Sequence, residues 1–222
     1  MRRLRLALCG VHAGIYEPTT ALNMLYTLIG LLGGLCLSFV FWWLLNHHLV
    51  PKLKFSEELS RRPISYDKQA VCHQFAFKNI GKRSIINIRL KARVRIKLTN
   101  KKGAKILNYF DVSLTNNEIF EMKPGVMLRM SLDVHNSSTL DAPLLNKSIV
   151  EKLHKKTLTV DDIFDFYPDG DFFVQIIGTD IYSNATKVFE STHYRKADVR
   201  SGVFTGQTLD IAPLESWGIT HT

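Results

Sequence analysis

Ile88-Arg89-Leu90-Lys91-Ala92-Arg93-Val94-Arg95-Ile96-Lys97-Leu98 sets six apolar residues at alternate positions, with a basic residue in each of the five gaps. A strand points successive side chains to opposite faces, so this segment offers one aliphatic face and one face with five positive charges. An antiparallel sheet, buried on one side and solvated on the other, is its natural setting. The same period of two recurs in shorter form at 71–77, 106–112, 126–134, 172–178 and 187–193. Asn100-Lys101-Lys102-Gly103 reads as the turn after the long strand. Helical spacing of Leu144, Leu145, Ile149, Val150 and Leu153 predicts a short helix within 143–156, and Thr159-x-x-Asp162 predicts a capped further turn. Many short strands between turn signals predict an all-β chain folded as a β-sandwich, with a short helix between strands.

Upstream the character changes. Met24 to Leu45 is 22 residues without a charge, which as a helix reaches about 33 Å, enough for a hydrocarbon core of about 30 Å. Trp42 and Trp43 end the run, as expected where a helix meets headgroups. The run is longer than a signal-peptide core, begins well after the basic start and ends without a small-residue cleavage site, so a retained span is expected. Lys52, Lys54, Arg61, Arg62 and Lys68 follow it closely, and the positive-inside bias places the C-terminal part in the cytoplasm. Sequons at Asn136, Asn146 and Asn184 point the other way, though weakly. Gly30, Gly34 and Ser38 share one helix face, which suits either close helix packing or ordinary lipid-facing filler.

The net charge of +9 is unevenly spread. Residues 51–105 hold 16 basic and 3 acidic side chains, whereas 106–222 hold 10 and 16. Lys52, Lys54, Arg61 and Arg62, close behind the span, form a candidate anionic-lipid site, since each basic residue near an acidic leaflet gains about 1 kcal/mol. Lys82, Arg83, Arg89, Lys91, Arg93, Arg95 and Lys97 form a candidate basic interface that faces water, lipid or the acidic segment of a neighbouring subunit. Nucleic acid is not expected, because aromatic residues are not interleaved with these charges. The expected divisions are a tail at 1–21, a transmembrane helix at 22–48, a basic membrane-proximal linker at 49–65, the sandwich at 66–211 and a tail at 212–222.

Catalytic and metal motifs are missing. There is no G-x-S-x-G, no H-E-x-x-H and no complete phosphate loop, since Gly81-Lys82-Arg83-Ser84 lacks the glycine five residues earlier. The eight histidines lack ligand spacing, and Cys9, Cys36 and Cys72 are scattered. Reading Asp165 as the first position of a calcium loop puts Tyr167 and Ile176 where oxygen ligands belong, so Asp161, Asp162, Asp165, Asp169 and Asp171 read as a solvated loop and cap. No metal, no cofactor and no enzymatic activity are expected.

Three ordered patches resemble the cytoplasmic domain of inward-rectifier potassium channels and their bacterial relatives. Asn79-Ile80-Gly81-Lys82-Arg83-Ser84-Ile85-Ile86-Asn87-Ile88-Arg89-Leu90-Lys91-Ala92 is similar to that family's N-L-R-K-S-H-I-V-E-A-H-I-R-A, keeping Asn79, Lys82, Ile85 and Ala92. Tyr194-Arg195-Lys196-Ala197-Asp198-Val199-Arg200-Ser201-Gly202-Val203-Phe204 resembles Y-x-x-x-E-[IV]-x-W-G-x-x-F, with Asp198 for the glutamate, Ser201 for the tryptophan and one residue fewer at the end. Phe173-Val174-Gln175-Ile176-Ile177-Gly178 resembles the strand before the family's L-E-G, and Ser138-Thr139-Leu140 echoes its S-P-L. The resemblance covers about residues 66–211. It implies an immunoglobulin-like domain, assembly as a homo-oligomer, commonly a tetramer, and anionic-lipid sensing between helix and domain. No T-x-G-Y-G-like filter occurs, so selective potassium conduction is not expected of this chain.

The functional expectation is a single-pass, non-catalytic regulatory or binding module in the cell membrane, self-assembling or serving another membrane protein. The alternatives are an exported, anchored sandwich acting as an envelope binding protein, and a subunit of a non-selective ion channel.

Overall fold

The computed structural model describes residues 18–48, 51–64, 67–99, 103–140 and 145–214. The chain forms two compact units, divided after His48. The first contains α1 (Pro18–His48), whose stretch Ala21–Leu45 is long and apolar enough to cross a membrane. Residues 21–45, Gly30, Gly34 and Ser38 among them, are all exposed.

The second unit is mostly β. It runs β1 (Leu53–Phe55), β2 (Leu59–Ile64), β3 (Asp67–Asn79), β4 (Ile85–Thr99), β5 (Lys105–Leu114), β6 (Glu118–Met122) and β7 (Met127–Asp133). Two short helices follow, α2 (Lys147–His154) and α3 (Val160–Phe166), then β8 (Asp171–Asp180), β9 (Thr186–Glu190), β10 (Val199–Ser201), β11 (Val203–Phe204) and β12 (Ile211–Ala212). The strand order is β10-β2-β3-β7-β5-β4-β8-β9, with β1 also on β3 and β6 also on β4. β5 and β7 meet through only Ser113↔Asp133 and Leu114↔Leu132, so this is the narrow join between two halves.

The halves enclose one core. Phe75 and Phe77 on β3 face Phe172, Val174 and Ile176 on β8 and the aliphatic side of β4. The rings of Phe75 and Phe172 lie 6.5 Å apart, although three strands separate theirs along the sheet. Leu90, Ala92, Val94 and Ile96 are buried as the alternation requires. β4 is longer than the expected strand at both ends, and near its start Asn87 takes φ +50°, a conformation asparagine tolerates better than most residues. That bulge shifts the phase of β4, so Ile85 and Ile88, three apart, both enter the core. Ile149, Leu153, Val160, Ile163 and Phe164 from α2 and α3 complete the core. Thr159 and Asp162 cap α3 reciprocally, as their spacing predicts.

The divisions need correction at three places. Residues 49–65 are not a linker throughout, because β1 and β2 lie within them and Leu59 and Ser60 are fully buried. Pro63 does not interrupt β2; it sits where the pairing with β3 shifts register. The expected tail at 212–222 begins too early. Ala212 belongs to β12, and the β11–β12 hairpin lays Phe204, Leu209 and Ile211 on Ala76 and Met127, the outer face of β3 and β7. The first helix begins at Pro18, inside the expected N-terminal tail.

Gly178 on β8 lies under Ile85: a Cβ there would fall 2.4 Å from the Ile85 Cγ2. Gly178→Val is therefore expected to destabilise the β unit by about 1–3 kcal/mol through overpacking, read as a lower urea midpoint with an unchanged slope.

Candidate membrane-facing surface

Ile85 pairs with Met122 on one side and with Asp180 on the other. The turns that adjoin these residues, 80–84, 123–126 and 181–185, consequently lie side by side at one end of the β unit. The chain enters the unit at this same end: the Lys52 carbonyl accepts hydrogen bonds from the amides of Ile80 (2.8 Å) and Gly81 (3.1 Å). Gly81 is required by that approach, since a Cβ there would stand 2.6 Å from the Lys52 nitrogen.

Two buried polar residues fasten the turns together. The Asn79 side chain donates to the carbonyls of Arg83 (2.8 Å) and Met122 (3.2 Å) and accepts from the Gly81 amide (3.0 Å). Its backbone bonds to Val126 and Gly125, so one residue ties two of the turns. Asp180, 3% exposed, accepts from Arg83 (2.9 Å), from the Ser183 hydroxyl (2.5 Å) and from the amides of Tyr182 and Ser183. Burial pushes this carboxyl upward, but the bonds from Ser183, Arg83 and the two amides outweigh it and hold the pKa below the usual carboxylate range. The Arg83 guanidinium also lies over the Tyr182 ring, 5.2 Å from its centroid.

What these turns present outward is apolar and positive. Ile80 is 54% exposed and Tyr182 77%, with Val126 and Ile181 also open to solvent. Lys52, Lys54, Lys82 and Lys123 are exposed among them. No aspartate or glutamate occurs within 51–54, 80–84, 123–126 or 181–185.

The residues singled out from the sequence divide between this surface and other places. Lys52, Lys54 and Lys82 belong to it. Arg61 and Arg62 do not: Lys54 stands opposite Lys78 on β3 but Arg61 stands opposite His73, five positions along, or about 17 Å. Arg61 is bound to Asp161 (2.8 Å), and Arg62 is half-buried opposite Cys72. Asp161 is pushed up by burial, yet His73 and Arg61 hold its pKa below the ordinary range. The basic side of β4 is largely neutralised within the chain. Arg89 faces Glu118 (3.7 Å), Arg93 binds Asp111 (2.8 Å) and Gln175, and Arg95 donates through Nε to Asp171 (3.0 Å). Lys91 and Lys97 stay exposed.

The acidic segment is spent in the same way. Asp162 caps α3 and pairs with Lys152, Asp165 pairs with Lys196, and Asp171 also meets His193 at 3.0 Å. Among the described residues no group of three or more His, Cys, Asp or Glu is arranged to hold a metal ion. Cys36 and Cys72 are free thiols, and Cys9 lies outside the described residues. Sequence reasoning missed Asn79 and Asp180 as fasteners, and Lys123, Ile181 and Tyr182 as surface residues. The only signal for the surface residues was an acid-free composition at three separate turns.

The chain thus combines a helix apolar enough to span a membrane with a mostly-β unit that carries a basic, apolar end. No protein-family model matches it, and no curated protein matches it. Among solved structures it is similar to the sporulation control protein Spo0M from Bacillus subtilis, at 13% identity and a TM-score of 0.29. That likeness covers 68% of this chain, which spans about half of the Spo0M chain (49%).

Proposed function

We propose that this protein is a single-pass, membrane-anchored, non-catalytic regulatory module. Its immunoglobulin-like β-sandwich lies in the cytoplasm and reads the anionic surface of the bilayer that anchors it. The observation that supports this is the end surface: Lys52, Lys82 and Lys123 interleaved with Ile80, Val126, Ile181 and Tyr182, without an acid, where the chain enters the β unit. Apolar tips that partition into the headgroup region, flanked by lysines, are what an interfacial contact with acidic lipid requires. α1 runs to His48 and only Leu49 and Val50 lie before Pro51, a reach of at most about 11 Å over those three steps, which suits contact of this end with the membrane that anchors it. Docking then transmits lipid composition to whatever the module serves, through turns that Asn79 and Asp180 hold as one body.

The test uses the full chain in nanodiscs. Hydrogen exchange at 80–84, 123–126 and 181–185 is expected to slow in discs containing anionic lipid relative to neutral discs. Changing Lys52, Lys82 and Lys123 together to glutamine should shift the docked-to-free ratio about a hundredfold, three residues at about 1 kcal/mol each. Changing Arg61 and Arg62 to glutamine should leave that protection in place. Equal exchange in both kinds of disc would sink the proposal.

A further inference from the structure

Among the described residues, no strand claims the outer edge of β5 from Lys105 to Phe110. Lys105 to Thr99 and Ile106 to Leu98 begin a register with β4 that runs without a shift to Val112 and Ala92. On the other side of β5 the only strand among the described residues is β7, and it joins at Ser113 and Leu114 alone. Alternate amides and carbonyls from Lys105 to Phe110 therefore point away from β4, and no strand among the described residues receives them. Natural edges are blunted by proline, bulges or inward charge. This one carries no proline, bulge or inward charge, and Lys105 at its start is its one charge: its six residues read Lys-Ile-Leu-Asn-Tyr-Phe, and Ile106, Leu107 and Tyr109 are each about half exposed (47%, 48% and 54%).

We infer that this edge pairs with the β5 edge of a second copy, antiparallel and centred on Leu107. The inference is carried by what that register brings together. Leu107 meets Leu107, and Ile106 meets Asn108. Lys105 lies opposite Tyr109 on the outer face, with its ammonium in reach of the ring. On the same face Asp111, paired with Arg93 of its own chain (2.8 Å) and still 55% exposed at its side chain, stands diagonal to the other copy's Lys105, so each Lys105 gains a carboxylate neighbour across the contact. No like charges come directly opposite. Pairing stops where the Thr139 hydroxyl takes the Asp111 carbonyl (2.5 Å) and closes the edge. The strength of so short a contact rests on the anchored reading above, because confinement to one membrane raises the effective concentration of copies. The register does not rest on it.

The experiment is cysteine cross-linking of the full chain in proteoliposomes, with Cys9, Cys36 and Cys72 replaced by alanine. Under mild oxidation Leu107→Cys should give about tenfold more disulfide dimer than Val188→Cys, an exposed position on the β9 edge, because opposed residues bring their Cβ atoms within bonding range. Lys105→Cys should cross-link to Tyr109→Cys in mixed liposomes and not to itself. Leu107→Lys in the native background should lower the dimer fraction about tenfold while leaving thermal unfolding in place. Equal cross-linking at 107 and 188, or an adduct of Leu107→Cys with a different protein, overturns the inference. Carbonate extraction of the same membranes reads anchorage separately: release of the chain defeats the anchored reading, whereas the 107-to-188 ratio judges the edge.

Discussion

Phe172→Ala is expected to cost the β unit about 3–5 kcal/mol. Phe172 is fully buried, and its ring meets Phe75 at 6.5 Å and Tyr194 at 6.0 Å. Its backbone exchanges two hydrogen bonds with Tyr194 (2.8 and 2.7 Å), whose hydroxyl in turn donates to the Ser56 carbonyl at 2.7 Å. The side chain thus stands where the two halves of the sheet and the segment after β9 converge. A cavity here is walled by hydrogen-bonded strands on both sides and cannot collapse by moving one loop. For a domain of ordinary stability, about 5–15 kcal/mol, that loss is about a fifth of the total or more. Thermal unfolding of the full chain in detergent should shift down by about 10 °C or more. Phe120→Ala, at an exposed aromatic on β6, should stay within about 0.5 kcal/mol of the parent. A loss below about 1 kcal/mol at Phe172 would mean that the halves do not pack face to face.

The fold was legible where one residue type repeats at one period. The alternation along β4 announces a half-buried strand, and the uncharged run before Leu45 announces a helix long and apolar enough to cross a membrane. β1 and β2 were hidden because Leu53, Phe55 and Leu59 are too few and too mixed with polar residues to show a period; β3 claims them by tertiary pairing. β6 was hidden for the same reason, with only the odd-numbered Ile119 and the buried Met122 turned inward across the bulge that Asn87 makes in β4. Charge was the least legible property. Arg61, Arg83 and Arg95 look free in the sequence, yet their carboxylates, Asp161, Asp180 and Asp171, lie 100, 97 and 76 residues later. An excess of positive charge at 51–105 and of negative charge beyond it is what a chain looks like when its two halves neutralise each other on folding. The lysines left over mark the surfaces. Lys52, Lys82 and Lys123 are far apart in sequence and come to one end because β4 pairs with both β6 and β8.

Asp180→Asn should strike both stability and lipid docking, although it changes no exposed group. The carboxylate is buried beneath Arg83, whose side chain is itself only 15% exposed. Removing the negative partner leaves that guanidinium facing a neutral amide, at a cost of about 3–5 kcal/mol when a buried pair is broken from one side. The pH dependence follows from the direction of the shift. The folded-state pKa of Asp180 is held below its unfolded value of about 3.9, so its contribution is present in full above that value. It is lost as the pH falls through the unfolded value toward the depressed folded one. The parent should therefore unfold at a steady temperature above about pH 5 and progressively lower ones below about pH 4. Asp161 and Asp162, also depressed, share this acid limb, so Asp180→Asn should lower the plateau and make the limb shallower without abolishing it. Because Asp180 joins the 80–84 turn to the 181–185 turn, hydrogen exchange in both should rise in the variant. Anionic nanodiscs should then protect them less, even with Lys52, Lys82 and Lys123 intact. An unchanged plateau with an unchanged acid slope would show that Arg83 finds its stabilisation elsewhere, and that the end surface is held by Asn79 alone.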